Sequence, residues 1–220
     1  MFSLKSLTKT YIHRNENIHA INHISLEIQG GSFIAITGGS GSGKTTLLLT
    51  LGGLIRPTSG LVKYKGLDIY GLPPEKIADY RNNTVGFVLQ TFNLIPYLSA
   101  LENVIVPLLI LKKSNIDKRK RASTLLKKLG LSSRQDFLPR ELSLGQQQRV
   151  AIARALANDP EVILADEPTG NLDPVLKIEI LDILHDLNKQ ENRTLILVTH
   201  DPDSARRADR VLNLSNGEII

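Results

Sequence analysis

Three stretches of the chain, residues 33–37 (FIAIT), 162–165 (VILA) and 195–199 (LILVT), are nearly unbroken apolar runs. Runs of that length without polar alternation predict strands covered on both faces, the pattern of a parallel sheet between helices. Residues 2–7, 20–28 and 61–64 read as strands of a different kind, with Gly30-Gly31 as a turn, and predict an antiparallel sheet. A helix is predicted over 175–190, where Leu176, Ile180, Ile183, Leu184 and Leu187 share one face behind Asp173 as N-cap and Pro174 at the first helical position. Between 91 and 140 helical stretches follow one another with few strand signals, which predicts a helical insertion into an α/β body. At 220 residues the chain has the size of one large domain, and it contains no internal repeat.

Composition narrows the chemistry. The absence of cysteine excludes a disulfide framework and a thiolate metal site. The longest apolar stretches, 47–55 and 104–111, are each less than half of the roughly 20 residues that cross a bilayer, so no membrane span is expected. The opening MFSLKSLTKTY lacks the apolar core and cleavage site of a secretory signal, which leads to the expectation of a cytosolic chain. The net charge is +5, and eight basic residues lie close together: Lys112, Lys113, Lys118, Arg119, Lys120, Arg121, Lys127 and Lys128. Such a run binds phosphate-rich surfaces in some proteins. Here Ile116, Leu125, Leu126 and Leu129 form a partial apolar stripe among the charges, which predicts the solvated face of an amphipathic helix and no nucleic-acid partner.

Residues 38–45, GGSGSGKT, match G-x-x-x-x-G-K-[ST] directly after the strand FIAIT and before the helical stretch TLLLTL. Backbone N–H groups of Gly38, Gly39, Ser40, Gly41, Ser42 and Gly43, with the positive end of the following helix, would surround the phosphates of a nucleoside triphosphate. Glycine is expected there because side chains would block that approach. Lys44 adds a charge at the β and γ phosphates, Thr45 offers a hydroxyl to Mg²⁺, and Thr46, in the first helical turn, completes the expected nucleotide-binding set. In VILADE an apolar strand ends in two acids at the edge where open parallel sheets bind ligands. Adjacent strand residues point opposite ways, so the two have separate tasks: Asp166 at hydrated Mg²⁺, Glu167 polarising the attacking water. A helix N-cap is the competing role for one of them.

LSLGQ at residues 142–146 resembles the LSGGQ signature of ABC-type ATPases, and further motifs follow in that family's order from about residue 4 to the end. Gln90 resembles the loop glutamine that links Mg²⁺ to the helical subdomain, Asn171-Leu172-Asp173 the loop that touches the opposite subunit, and His200 the switch histidine at the γ phosphate. Tyr11 falls where the family places an aromatic ring against adenine; taken by itself, a tyrosine there is as well explained by burial in the core. The resemblance implies an ABC ATPase fold: a P-loop NTPase core with a parallel sheet, an N-terminal antiparallel β subdomain, and a helical subdomain inserted at about 91–140 with the signature at its end, all in one domain over 1–220. It implies an ATPase that binds ATP and Mg²⁺ in a head-to-tail homodimer, with Ser143, Gly145 and Gln146 facing the nucleotide of the opposite subunit. A positive helix terminus beginning near Gly145 agrees with that role, and an N-cap function for Ser143 is compatible with it. Leu144 departs from the pattern by replacing the first glycine.

QTFNLIPYLSALENVIVPLL (90–109) and EPTGNLD (167–173) resemble the subgroup that serves lipoprotein release, macrolide and antimicrobial-peptide export, and cell-division signalling. That resemblance implies a motor subunit peripheral at the inner face of the cell membrane, driving a separate transmembrane subunit with a large extracytoplasmic domain. The expected cargo is lipophilic, a lipoprotein or peptide-like; a regulator that pulls on a membrane protein without transport is the alternative. Soluble repair and translation ATPases of the superfamily are disfavoured, because the chain has neither a coiled-coil insertion nor a second ATPase domain. Phe92, Leu94, Ile95 and Tyr97 are equally well read as subdomain core or as a groove for the membrane partner.

Overall fold

The computed structural model describes residues 1–14, 16–110 and 117–220. In chain order its elements are β1 (Phe2–His13), β2 (Glu16–Ile28), β3 (Phe33–Thr37), α1 (Lys44–Leu51), β4 (Ser59–Tyr64), β5 (Leu67–Asp68), α2 (Pro74–Thr84), β6 (Val85–Val88), α3 (Ala100–Ile110) and α4 (Lys118–Lys128). They continue with α5 (Leu144–Ala155), β7 (Val162–Asp166), α6 (Pro174–Lys189), β8 (Thr194–Val198), α7 (Pro202–Ala205), β9 (Arg210–Ser215) and β10 (Glu218–Ile219). Two compact units emerge, one formed by residues 1–81 and 185–220, the other by 82–184.

In the first unit an antiparallel sheet has the order β2-β1-β4-β5, with Phe2 opposite Ile28 on one side and Tyr64 on the other. Alternation along β2 buries Ile21, Ile24, Leu26 and Ile28. The β1–β2 hairpin is longer than its apolar pattern predicts, because its outer half pairs Tyr11 with Ile18 and Ile12 with Asn17 while leaving those side chains exposed. Backbone pairing and polar contacts such as the one between Thr10 Oγ1 and His19 Nδ1 at 3.0 Å carry that half, and nothing in the hydrophobic spacing reports it. The core strand β3 lies parallel to β8 and to β9, and Phe33 to Ile36 are all buried, as a strand covered on both faces requires.

Helix α1 is anchored at its carboxyl end. The Tyr70 hydroxyl lies 2.6 Å from both the Thr50 and Ile55 carbonyl oxygens, Tyr80 donates to Leu51 at 2.9 Å, and Arg81 donates to Gly53 at 3.0 Å. These side chains serve carbonyls that the helix end and the turn after it leave open.

In the second unit β6 and β7 pair in parallel, Val85 with Val162 through Val88 with Ala165. Strand β6 is not evident from its four residues, VGFV. Its Gly86 is explained by packing, since a Cβ there would lie 2.5 Å from the Ala155 carbonyl oxygen. On α4, Ala122, Leu125 and Leu126 are buried, while Arg119, Lys120, Lys127 and Lys128 face solvent. Arg121 has another use: it donates to the Leu156 and Ala157 carbonyls at the end of α5. Leu111, Lys112, Lys113 and Ile116 lie outside the described residues. Asp173 caps α6 as expected, accepting the Val175 and Leu176 N–H groups at 3.0 Å. Among the described residues no helix is long and apolar enough to cross a membrane.

Burial pushes the pKa values of Tyr70 and Tyr80 well above the ordinary tyrosine range, opposed at Tyr70 by the charges of Arg56 and Arg81. The folded protein therefore holds both phenolic protons at a pH where the unfolded chain, ionising near about 10, releases them. Stability from this source is complete below about pH 10 and is lost as pH rises beyond it. Urea midpoints measured from pH 8 to 11 should fall, and the fall should flatten in Tyr80→Phe.

Candidate functional site

The glycine-rich loop leaves the end of β3 and enters α1 within the first unit. Its four glycines divide into two kinds. Gly38 (φ 146°) and Gly43 (φ 103°) are pressed against other backbone, since a Cβ would stand 2.1 Å from the Leu214 oxygen at the first and 1.9 Å from the Ala20 oxygen at the second. Gly39 and Gly41 have open space where a side chain would project. Unobstructed approach for a ligand therefore explains Gly39, Gly41 is called for by its left-handed backbone at φ 76°, and Gly38 and Gly43 are required by the protein's own packing.

Behind this loop a concavity of about 150 Å³ is lined by Ala20, Gly41, Ser42, Gly43, Lys44, Thr45 and Thr46. Gly43 caps α1 without any side-chain hydrogen bond, and the first turn holds no acid, so the positive helix end faces the concavity uncompensated by side chains. The Lys44 ammonium donates to the Gly38 and Gly39 carbonyls at 2.8 and 2.7 Å, which holds its charge across the loop. Ser40 and Thr45 are exposed, whereas the Ser42 side chain is buried beside Gly38. Such a lining binds an oxyanion: backbone donors, a helix terminus and one cation.

Two more predicted residues belong to this unit. The β3–β8 register pairs Ile36 with Val198, so His200 follows β8 at the same carboxyl edge from which the phosphate loop departs. The Thr199 N–H donates to the Ile36 oxygen at 3.1 Å, and His200 is exposed. Tyr11 is 40% exposed, with the Lys9 ammonium 5.1 Å from its ring centroid. The core alternative for Tyr11 is thereby removed, and its ring is available to a planar partner.

The second unit brings the remaining groups to the carboxyl edge of β6 and β7. Val88 pairs with Ala165, so Gln90 and the two acids leave adjacent strands side by side. Neither acid caps a helix: residues 167–170 form a turn, closed by Gly170 N–H to the Glu167 oxygen at 3.1 Å, and α6 is capped by Asp173. Glu167 adopts φ 45°, a left-handed conformation that costs a non-glycine residue about 1 kcal/mol or more. The turn also holds Gln90. The Asn171 amide donates to its carbonyl at 3.4 Å, and a Cβ on Gly170 would stand 3.3 Å from the Gln90 Nε2.

Ser143 caps α5, accepting the Gln146 N–H at 3.3 Å, while the Gln146 side chain accepts the Ser143 N–H at 3.1 Å. This reciprocal box consumes the amide oxygen of Gln146 locally. Leu144 is the first residue of α5 with a negative φ, and its side chain is half exposed. No left-handed residue is needed there, so leucine fits without strain. Gly145 is constrained instead by its own chain, because a Cβ would lie 2.9 Å from Leu176 of α6.

The apolar cluster after Gln90 splits. Phe92 is buried, Leu94 and Ile95 are half-buried, and Tyr97 is 77% exposed. The loop is held by Asn103, a fully buried residue of α3 that sequence reasoning missed. Its amide accepts the Ile95 N–H at 2.7 Å and donates to the carbonyls of Ile95, Leu98 and Ser99. An asparagine in an apolar helix carries no signal of such a role. Ala20 was missed for the same reason: its part in lining the concavity comes from position alone.

A profile of the ABC transporter family matches residues 21–170. The chain is 47% identical to a lipoprotein-releasing system ATP-binding protein, LolD, of Syntrophus aciditrophicus, covering all of this chain and 99% of that one. It is 46% identical to a macrolide export ATP-binding/permease protein, MacB, of Syntrophobacter fumaroxidans, covering all of this chain but only 31% of that longer protein. The solved dimeric structure of the ATP-binding cassette MJ0796 in a post-hydrolysis state with ADP and Pi superimposes with a TM-score of 0.93, at 43% identity, over 100% of this chain and 96% of that one.

The two kinds of glycine should separate experimentally. Gly43→Ala, which drives a methyl into the Ala20 carbonyl, should destabilise the fold by about 2 to 4 kcal/mol in urea unfolding. Gly39→Ala should shift stability by less than about 1 kcal/mol yet weaken nucleotide binding, read by titration with a fluorescent ATP analogue.

Proposed function

The chain belongs to the ABC transporter family, and on that premise we propose that it is the ATP-hydrolysing motor of an export or extraction complex, closing head to tail on a second copy of itself around two MgATP. The observation that carries this reading is the phosphate loop: open glycines over a helix N-terminus whose only charged neighbour in the loop is Lys44. The loop's N–H groups and Lys44 bind the phosphates, with Tyr11 stacked on the base. At the edge of β7, Glu167 accepts the proton of the attacking water, and its left-handed backbone fixes the direction in which the carboxylate leaves the strand. His200 donates a hydrogen bond to the γ phosphate.

The Thr45 hydroxyl, the Asp166 carboxylate and the Gln90 amide oxygen are hard oxygen donors of the kind Mg²⁺ takes, and one protein carboxylate with retained waters suits it. When bound, the ion supplies charge neutralisation at the transferred phosphoryl group.

Support for a second copy comes from the start of α5 and α6. Leu144, Val175 and Ile178 are exposed apolar side chains close to the point where Leu176 packs on Gly145. On the partner subunit Ser143, Gly145 and Gln146 would meet the γ phosphate, with Asp173 in the adjoining loop. Tyr97, exposed on a loop made rigid by Asn103, is our candidate contact for a membrane partner with a large extracytoplasmic domain, which would hold the motor at the inner membrane face. The likeness to LolD and MacB supports a lipophilic, lipoprotein or peptide-like cargo.

Glu167→Gln should retain ATP binding and lower phosphate release by about 10²- to 10⁴-fold. Half of wild-type hydrolysis in that variant would remove Glu167 from the mechanism. Leu144→Gly, assayed with the membrane partner present, should change turnover by no more than about threefold, under ~1 kcal/mol in barrier. A tenfold gain would mean that the natural signature is impaired.

A further inference from the structure

Arg154 lies in the last turn of α5, but its guanidinium serves no carbonyl of that helix. It reaches the loop after Gln90, where its two terminal nitrogens donate to the Asn93 carbonyl at 2.5 Å and the Phe92 carbonyl at 2.6 Å. Both acceptor residues are left-handed, with φ 56° at Phe92 and 48° at Asn93. Phenylalanine gains nothing locally from that conformation, which costs it about 1 kcal/mol or more, whereas asparagine tolerates it. Both persist because one planar fork receives both carbonyls and because the Phe92 ring is buried. Half-buried, with no carboxylate paired to it among the described residues, the guanidinium is held below its ordinary pKa by desolvation. A partly desolvated cation devoted to two loop carbonyls is more than packing alone requires.

We propose that Arg154 is a positioning residue of the ATPase reaction: by clamping the Phe92 and Asn93 carbonyls it fixes the loop that carries Gln90, and it ties that loop to the helix whose other end carries Ser143. This rests on the reading of Gln90 as a ligand of the MgATP site. Ser143 and Arg154 are eleven residues apart, roughly 16 Å along a helix at 1.5 Å per residue. Helix α5 is thus a strut. A displacement of the Gln90 loop is passed to the signature end without a soft joint, and a displacement of the signature end returns the same way.

The test compares Arg154→Met, which keeps the buried stem and removes the donors, with Arg154→Lys, whose ammonium can reach two carbonyls as Lys44 does in the phosphate loop. On the full chain, Arg154→Met should lower kcat about tenfold or more with KM for ATP changed less than about twofold. Arg154→Lys, which keeps the charge and the stem but not the planar fork, should recover only part of the loss. Backbone hydrogen exchange over 90–95 should accelerate in Arg154→Met while the amides of α1 keep their protection. Where Arg154→Met does not fold, Arg154→Gln, with one donor nitrogen left, takes its place and should have a lower kcat than Arg154→Lys. Arg154→Met combined with Gln90→Ala should be no slower than Gln90→Ala alone, because the arginine acts through the glutamine. Multiplying losses, an effect confined to KM, or unchanged exchange at 90–95 would overturn the proposal while leaving the Gln90 role standing. Wild-type hydrolysis in Gln90→Ala would overturn the Gln90 role and this proposal with it.

Discussion

An anion site built from backbone N–H groups works only if the backbone cannot relax onto its ligand or away from it. In this protein that rigidity comes from two places where main chain lies directly against main chain, Gly38 on the Leu214 carbonyl and Gly43 on the Ala20 carbonyl. The loop is wedged between β2 and β9, and α1 continues from it without freedom to swing. At the other end of α1, two tyrosine hydroxyls and Arg81 hold the helix end and its following turn. The phosphate-facing N–H groups are therefore positioned before any ligand arrives, which is the condition for electrostatic stabilisation at low reorganisation cost.

The second unit reaches preorganisation by a different route. Glu167, Phe92 and Asn93 are all non-glycine residues in left-handed conformations, and all lie just beyond the carboxyl edge of β6 and β7. Strain at that edge is offset by identifiable contacts: the 167–170 turn, the Arg154 fork and the buried Phe92 ring. Gln90 sits between these fixed points. The strand register aligns the chemistry, and the strained residues aim it.

How much of this was legible in the sequence depended on where each constraint originates. FIAIT could be read as a core strand because burial on both faces leaves an unbroken apolar run, and Asp173-Pro174 announced α6 because a cap and its helix are contiguous. The outer half of the β1–β2 hairpin could not be read, since Tyr11, Ile12 and Ile18 are exposed and the half is held by backbone pairing and polar side chains. Strand β6 was hidden by Gly86, whose reason is a carbonyl on α5. The phosphate loop was recognisable as a motif, but the difference between Gly38 and Gly39 depends on Leu214, far along the chain. Asn103 and Arg154 were illegible for the same reason: their partners are loop carbonyls, and carbonyls carry no residue identity.

The signature shows what that distance dependence means for how motifs are defined. Position 144 opens α5 in ordinary helical geometry with its side chain half exposed, so any residue compatible with a first helical turn is admissible there. At position 145 an added Cβ would stand 2.9 Å from a Leu176 methyl, so that side chain would have to shift. A pattern that treats the two glycines alike merges a position whose side chain is half exposed with one whose added Cβ would press on the methyls of Leu176. The crowding at the second glycine comes from its apolar neighbour on α6, thirty-one positions away in the chain, and is invisible to any pattern five residues wide.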